Sequence, residues 1–141
     1  MVEFNSVCTQ FAEILRGKSK VNNGVCSVDF HRRVDVTVQG KPCKSVASAR
    51  VSFESLDQQG VAINLAEIAI LEEESAKFMK AAIEQGLIVS ALHNQWILTE
   101  PTIMHIHIQS VESPLNFAEK LVYAFGELSS KPVGEQGGGY N

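Results

Sequence analysis

The chain has 141 residues, 45% of them hydrophobic and 20% charged, with a net charge of -4. That describes one ordinary globular domain, large enough to bury most of its apolar surface. The acidic balance excludes nucleic acid as the expected partner, because phosphate binding needs clustered Lys and Arg, and no apolar run approaches the roughly 18 to 20 residues of a membrane span.

Residues 4–15 place Phe4, Val7, Cys8, Phe11, Ile14 and Leu15 at helical spacing, which gives one apolar face. Gly17 stands where that helix would stop. The segment carries acids early and lacks the basic start of a leader peptide, so a cytoplasmic location is the expectation. Cys8, Cys26 and Cys43 are odd in number and have no CxxC spacing, which predicts three reduced thiols.

"NNG" at 22–24 is a turn signal, followed by strands at "VCSVDF" (25–30) and "RVDVTVQG" (33–40). The short basic run "HRR" at 31–33 reads as a strand entrance with solvated charges. "VASARVSFE" (46–54) alternates, with Ala47, Ala49, Val51 and Phe53 inward and Ser48, Arg50, Ser52 and Glu54 outward. "VAINLAEIAIL" (61–71) is a long apolar strand with Glu67 embedded in it. "EEESAKFMKAAIEQG" reads as a helix whose leading acids suit the positive end of its dipole. "LIVSALHNQW" and "TIMHIHIQS" are two further strands, and Ser113-Pro114 starts a last helix as N-cap and first turn. The order α-β-β-β-β-α-β-β-α predicts a single α+β domain over 1–128, mostly antiparallel, with helices on one face. A flexible Gly-rich tail is expected over 129–141.

Three of the four histidines lie in "ALHNQWILTEPTIMHIHI" (91–108). Strand alternation puts His105 and His107 on one side and Met104, Ile106 and Ile108 on the other. On the preceding strand Ile88, Leu92 and Trp96 are expected in the core, and Val89, Ala91, His93 and Gln95 opposite. A hairpin through "ILTEP" would set His93 across from His105 or His107, within about 4.5 to 5.5 Å at Cβ. A divalent metal, zinc by imidazole preference, is one expectation for such a cluster, with His93, His105, His107 and Glu67 as ligands. A polar small-molecule pocket without metal is another, and a surface or subunit contact the third. No GxSxG, Walker loop, GxGxxG or HExxH occurs.

Four segments, "KSKVNNGVCSVDFHRRVDVTVQGKP", "AINLAEIAILEEE", "GLIVSALHNQW" and "EPTIMHIHI", resemble in that order the LppY/LpqO family, a bacterial domain of unknown function. The resemblance spans roughly 5–128. Its pattern places an Arg-x-Asp at Arg33 and Asp35, a Gly-Asp at Ala66-Glu67, a Glu at Glu74, His-Asn-His at His93, Asn94 and Gln95, and a further His at His107. This chain departs from it at Ala66, Gln95, Thr102 and His105. The resemblance implies one functional surface around His93, Asn94, His107 and Glu67, and no particular reaction.

The reading that follows is a cytoplasmic α+β protein binding a small polar ligand on its histidine face. His93, His107 and Glu67 are the expected ligands or proton carriers. Asn94, Gln95, Arg33 and Asp35 are the expected ligand-binding groups. The alternative is a non-catalytic homodimeric interaction module, since Leu87, Val89, Ala91 and Ile103 are expected on the histidine side and need cover.

Overall fold

A computed structural model describes residues 3–135. Helix α1 (Phe4–Leu15) forms where the apolar spacing places it, with Glu3 accepting from the Ser6 N–H at its start. Its last turn ends on Arg16, which itself adopts the left-handed conformation (φ 61°), one residue before the expected glycine stop. Gly17 serves a different need: a Cβ there would lie 2.4 Å from Val28. Strands β1 (Ser19–Asn22) and β2 (Val25–His31) form a hairpin whose two turn residues, Asn23 and Gly24, both have positive φ, as a tight two-residue turn requires.

Two short strands follow, β3 (Thr37–Val38) and β4 (Lys41–Pro42), then β5 (Ser48–Glu54) and β6 (Ala62–Leu71). Helix α2 (Ser75–Glu84) leads to β7 (Ile88–His93), β8 (Thr99–Glu100) and β9 (Ile103–Glu112). Helix α3 (Pro114–Phe125) and β10 (Val133–Gly134) complete the fold. The main sheet runs β1-β2-β5-β6-β9-β7, antiparallel at every pairing, with β10 also paired to β2. A single α+β domain with a mostly antiparallel sheet is thus what the sequence order predicted.

One sheet face meets the helices. Phe11, Phe78 and Phe117 from the three helices share a core with Val28, Val51, Phe53, Ile68, Ile106 and Ile108. The opposite face is covered only at one end, by a second small cluster of Val36, Val46, Ala47, Ala69 and Ile103. Here the structure corrects the sequence reading. "RVDVTVQG" is not a strand of the main sheet. Only Thr37 and Val38 pair, in a separate β4-β3-β8 sheet, and Val36 folds down onto Ala69 and Ile103. Ile103 does point to the histidine side, but this cluster buries it.

A second correction concerns β7. Its register against β9 slips between Val89 and Ala91, a bulge that reverses the side-chain alternation. Ile88 is therefore 57% exposed, whereas Leu87 is buried and Val89 packs on the helix-side core. Trp96 is 48% exposed and lies beyond the end of β7, outside the core.

Cys8 and Cys26 form a disulfide joining α1 to β2, in place of the expected reduced thiols, and Cys43 is free. Spacing alone cannot report such a bridge, because the two residues are joined by fold rather than by motif. The ordered fold also runs past 128. Ser129 bonds Glu74, Val133 and Gly134 pair with His31 and Phe30, and the Glu135 N–H donates to Asp29 O. The rest of the expected tail, 136–141, lies outside the described residues. No described helix is long and apolar enough to cross a membrane.

Candidate functional site

The uncovered part of the sheet carries two cross-strand rows set by register. In the first, Asp29 on β2 faces Arg50 on β5, Arg50 faces Glu67 on β6, Glu67 faces His107 on β9, and His107 faces Ala91 on β7. In the second, His31 faces Ser48, and Ala69 faces His105, which faces His93. Adjacent strands with one face buried force this alignment, since each polar residue alternates with a core residue. All four histidines share the open face, with small Ala69 and Ala91 leaving room between the larger side chains.

Charge runs along the first row. Arg50 Nε donates to Asp29 Oδ1 at 2.7 Å, and Lys20 Nζ stands 2.7 Å from Asp29 Oδ2. The Arg50 hydrogen bond is the main influence on Asp29 and holds its carboxyl below the ordinary range, against the opposing effect of partial burial and with Lys20 assisting. The same bond raises Arg50 further. Glu67 Oε2 lies 3.7 Å from His107 Nε2. His93 Nε2 lies 3.1 Å from His107 Nε2, with the ring centroids 5.0 Å apart. At the far end of the second row His31 Nδ1 meets Glu135 Oε2 at 3.2 Å.

His105 differs from its neighbours. It is 95% buried, by the 5% exposure left to it, and its Nδ1 has no hydrogen-bond partner. Burial pushes its imidazole down from the ordinary value. The nearby Glu67 charge opposes that shift, and His93 and His107 reinforce it. A hydrogen bond with the Val46 backbone also opposes the shift, and the His105 side chain borders the cleft above the sheet.

That cleft has a volume of about 670 Å³, and Arg50, Glu67, Gln95, Trp96, His105 and Glu135 line it. A smaller lobe of about 270 Å³ adjoins it along Arg50, Leu65, Glu67, Ser90 and His107. Ser45, at the start of the short helical turn before β5, lines the cleft together with His105, and the β7–β8 loop brings Gln95 and Trp96 to it. Of the residues singled out from sequence, Glu67, His93, His105 and His107 come together, and Gln95 reaches the cleft. Asn94, Arg33 and Asp35 are exposed and line neither lobe.

Glu74 stands at the start of the α2 helical segment, as its place in the acidic run suggests, but that is not its whole role. It is buried against Arg32 in a paired contact at 2.9 and 2.8 Å, and it also accepts from the Leu71 and Ser129 N–H groups. Sequence reasoning missed Arg50, Asp29 and Glu135 as site residues. Arg50 was legible as outward-facing, but nothing local announced that Asp29 and Glu135 share its face. Among the described residues no three His, Cys, Asp or Glu side chains already stand in ligating geometry around one point.

A family model described as Domain of Unknown Function (DUF1259) matches residues 9–126. No curated protein and no solved structure matches the chain.

Proposed function

The chain belongs to the family described as Domain of Unknown Function (DUF1259), and from that premise we propose that it is a ligand-binding domain for a small polar molecule. The carrying observation is the cleft of about 670 Å³ floored by a charged sheet row and flanked by one exposed tryptophan. A concave site with a few convergent polar groups is the usual form of a small-molecule site. The donors and acceptors are mixed: Arg50 donates, Glu67 and Glu135 accept, and the Gln95 amide does both. Such a lining suits a hydroxyl-rich or zwitterionic ligand better than a simple anion. Trp96 offers an apolar ring face against which such a ligand can stack. Glu67 and His107 in this row, with His93 in the next, are groups able to carry a proton to or from a bound molecule.

Trp96 is the sole tryptophan of the chain, so its fluorescence reports on the cleft directly. Titration with sugars, polyols and amino acids should give a saturable change with at least one class. Glu67→Gln and Gln95→Ala should weaken that change without altering the fold. If no class gives a saturable response in the wild-type protein, the ligand reading fails.

The finer assignment to the LppY/LpqO family rests on the four quoted segments. The matched span, 9–126, supports it by nearly coinciding with the 5–128 over which the motifs fall. The Cys8–Cys26 bond weighs against the cytoplasmic expectation, because such bonds persist chiefly in oxidising compartments.

A second reading, a homodimer formed through the open face, has its own observation. Ile63, Leu65, Ile88 and Val111 are exposed on that face beside the histidine rows, with Ile63 opposite Val111 and Ile88 opposite Gln109. Sedimentation of wild type against Val111→Lys tests it. A dimer lost in the variant supports the reading, and a wild-type monomer at all accessible concentrations rejects it.

A further inference from the structure

The geometry points to a first-row divalent cation, zinc foremost, held by His93 Nε2, His107 Nε2 and Glu67 Oε2, with its remaining positions open to the cleft. Two nitrogens bound to one tetrahedral zinc at about 2.0–2.1 Å lie roughly 3.3 Å apart. The two imidazole nitrogens stand 3.1 Å apart, close to that edge length. The ring planes are 25° apart with centroids at 5.0 Å, and the register puts both residues on the open side of the sheet.

A direct hydrogen bond between the imidazoles would also bring the nitrogens to 3.1 Å, if one ring donates and the other accepts. It does not account for the third group. Glu67 Oε2 approaches the same His107 nitrogen, at 3.7 Å. That is a few tenths of an ångström beyond a ligand edge. With 47% of its side chain exposed, Glu67 has room to close the difference. Two imidazoles and one carboxylate on one side of a cation, with open positions opposite, are a familiar donor set for first-row metals.

The register explains why these three and no others. Glu67 and His107 are directly opposed across β6 and β9. His93 lies opposite His105, one row away from His107, and keeps this face beyond the bulge at 89–91. His105 does not belong to the ligand set, in contrast to the four-ligand expectation from sequence. Its ring is 95% buried, taking the 5% exposure, and lies farther from His93, with centroids 6.4 Å apart. It forms the wall behind His93. The inference uses the same face as the ligand reading but does not need the organic ligand.

The test is equilibrium dialysis of untagged full-length protein against zinc chloride alone, with bound metal read by elemental mass spectrometry. One zinc per chain is expected. His93→Ala and His107→Ala should each weaken binding by more than the roughly 10- to 100-fold that loss of a supporting partner costs. Glu67→Gln should weaken it less. His31→Ala and Cys43→Ser should leave it unchanged, which separates this site from the histidine on β2 and from the free thiol. All three target side chains are at least partly exposed, and a melting curve for each variant confirms folding. Failure to bind zinc, or stoichiometric binding that survives both histidine variants, overturns the inference. Zinc is read by elemental mass spectrometry and the organic ligand by the fluorescence of Trp96, so failure of either property leaves the other independently measurable.

Discussion

The guanidinium of Arg32 and the carboxylate of Glu74 meet in a two-pronged contact at 2.9 and 2.8 Å, with 3% and 5% of their surfaces left exposed. Around them the carboxylate also receives the Leu71 N–H, the Ser129 N–H and the Ser129 hydroxyl, while Arg32 donates to Ala69 O. The pair ties the end of β2, the start of the α2 segment and the chain after α3 to one point.

Removing one partner of such a pair leaves the other charge buried without compensation. Glu74→Gln preserves the side-chain shape and should cost about 3–5 kcal/mol in unfolding free energy. Urea denaturation of wild type and variant measures this. A loss below about 1 kcal/mol would place the pair with surface ion pairs and refute the argument.

The same contact predicts an acid dependence. Burial alone would raise the Glu74 carboxyl, but the hydrogen bonds from Arg32, Ser129 and Leu71 prevail and lower it from 4.5 to about 2. A lowered folded-state value stabilises the protein above the unfolded value, and that stabilisation is lost as pH falls through the folded one. Stability should therefore decline from about pH 4.5 down to about pH 2. In Glu74→Gln this part of the acid slope should vanish. Denaturation midpoints at stepped pH values decide it, and an identical slope in both proteins would exclude Glu74 as the cause.

Trp96 should emit as a solvated indole and be quenched readily by acrylamide, since nearly half of it is exposed at the cleft rim. The fluorescence of unligated protein is enough to check this. A blue-shifted, quencher-resistant emission would mean that the ring packs into the core, as the period-two reading of its strand has it.

The Cys8–Cys26 bridge closes a sequence separation of 18 residues. In the chain-entropy account a loop of this size contributes about 3 kcal/mol. Cys26→Ser should lower the unfolding free energy by that order. Thiol titration of unreduced, denatured wild-type protein should find one group, Cys43. Three reactive thiols would show that the bridge does not form.

Much of the architecture was readable because periodicity reports burial. Helices α1 and α3 and strands β5, β6 and β9 each bury one side, and their apolar residues recur at the matching interval. The His105–His107 pair and its opposition to His93 followed from the same rule. The misses share a physical cause, that a local pattern does not reveal which surface it meets. Val34, Val36 and Val38 alternate like a sheet strand, yet Val36 covers the histidine side as part of a separate layer. Glu74 sits in a run of acids that a helix dipole would explain, while its partner Arg32 lies 42 residues away. Trp96 is apolar enough for a core, but the strand that would have carried it there ends at His93.

The irregularity between Val89 and Ala91 has an evolutionary corollary. Residue 90 is an extra residue that turns Ile88 outward and Val89 inward without moving the pairs beyond it. Exchanging it alters one exposed side chain, and deleting it would restore even alternation with Ala91 still opposite His107 and His93 still opposite His105. Descendants of this sequence can drift in spelling at 90, or lose that residue, and keep the face, whereas losing Leu92 would turn His93 toward the helices in one step.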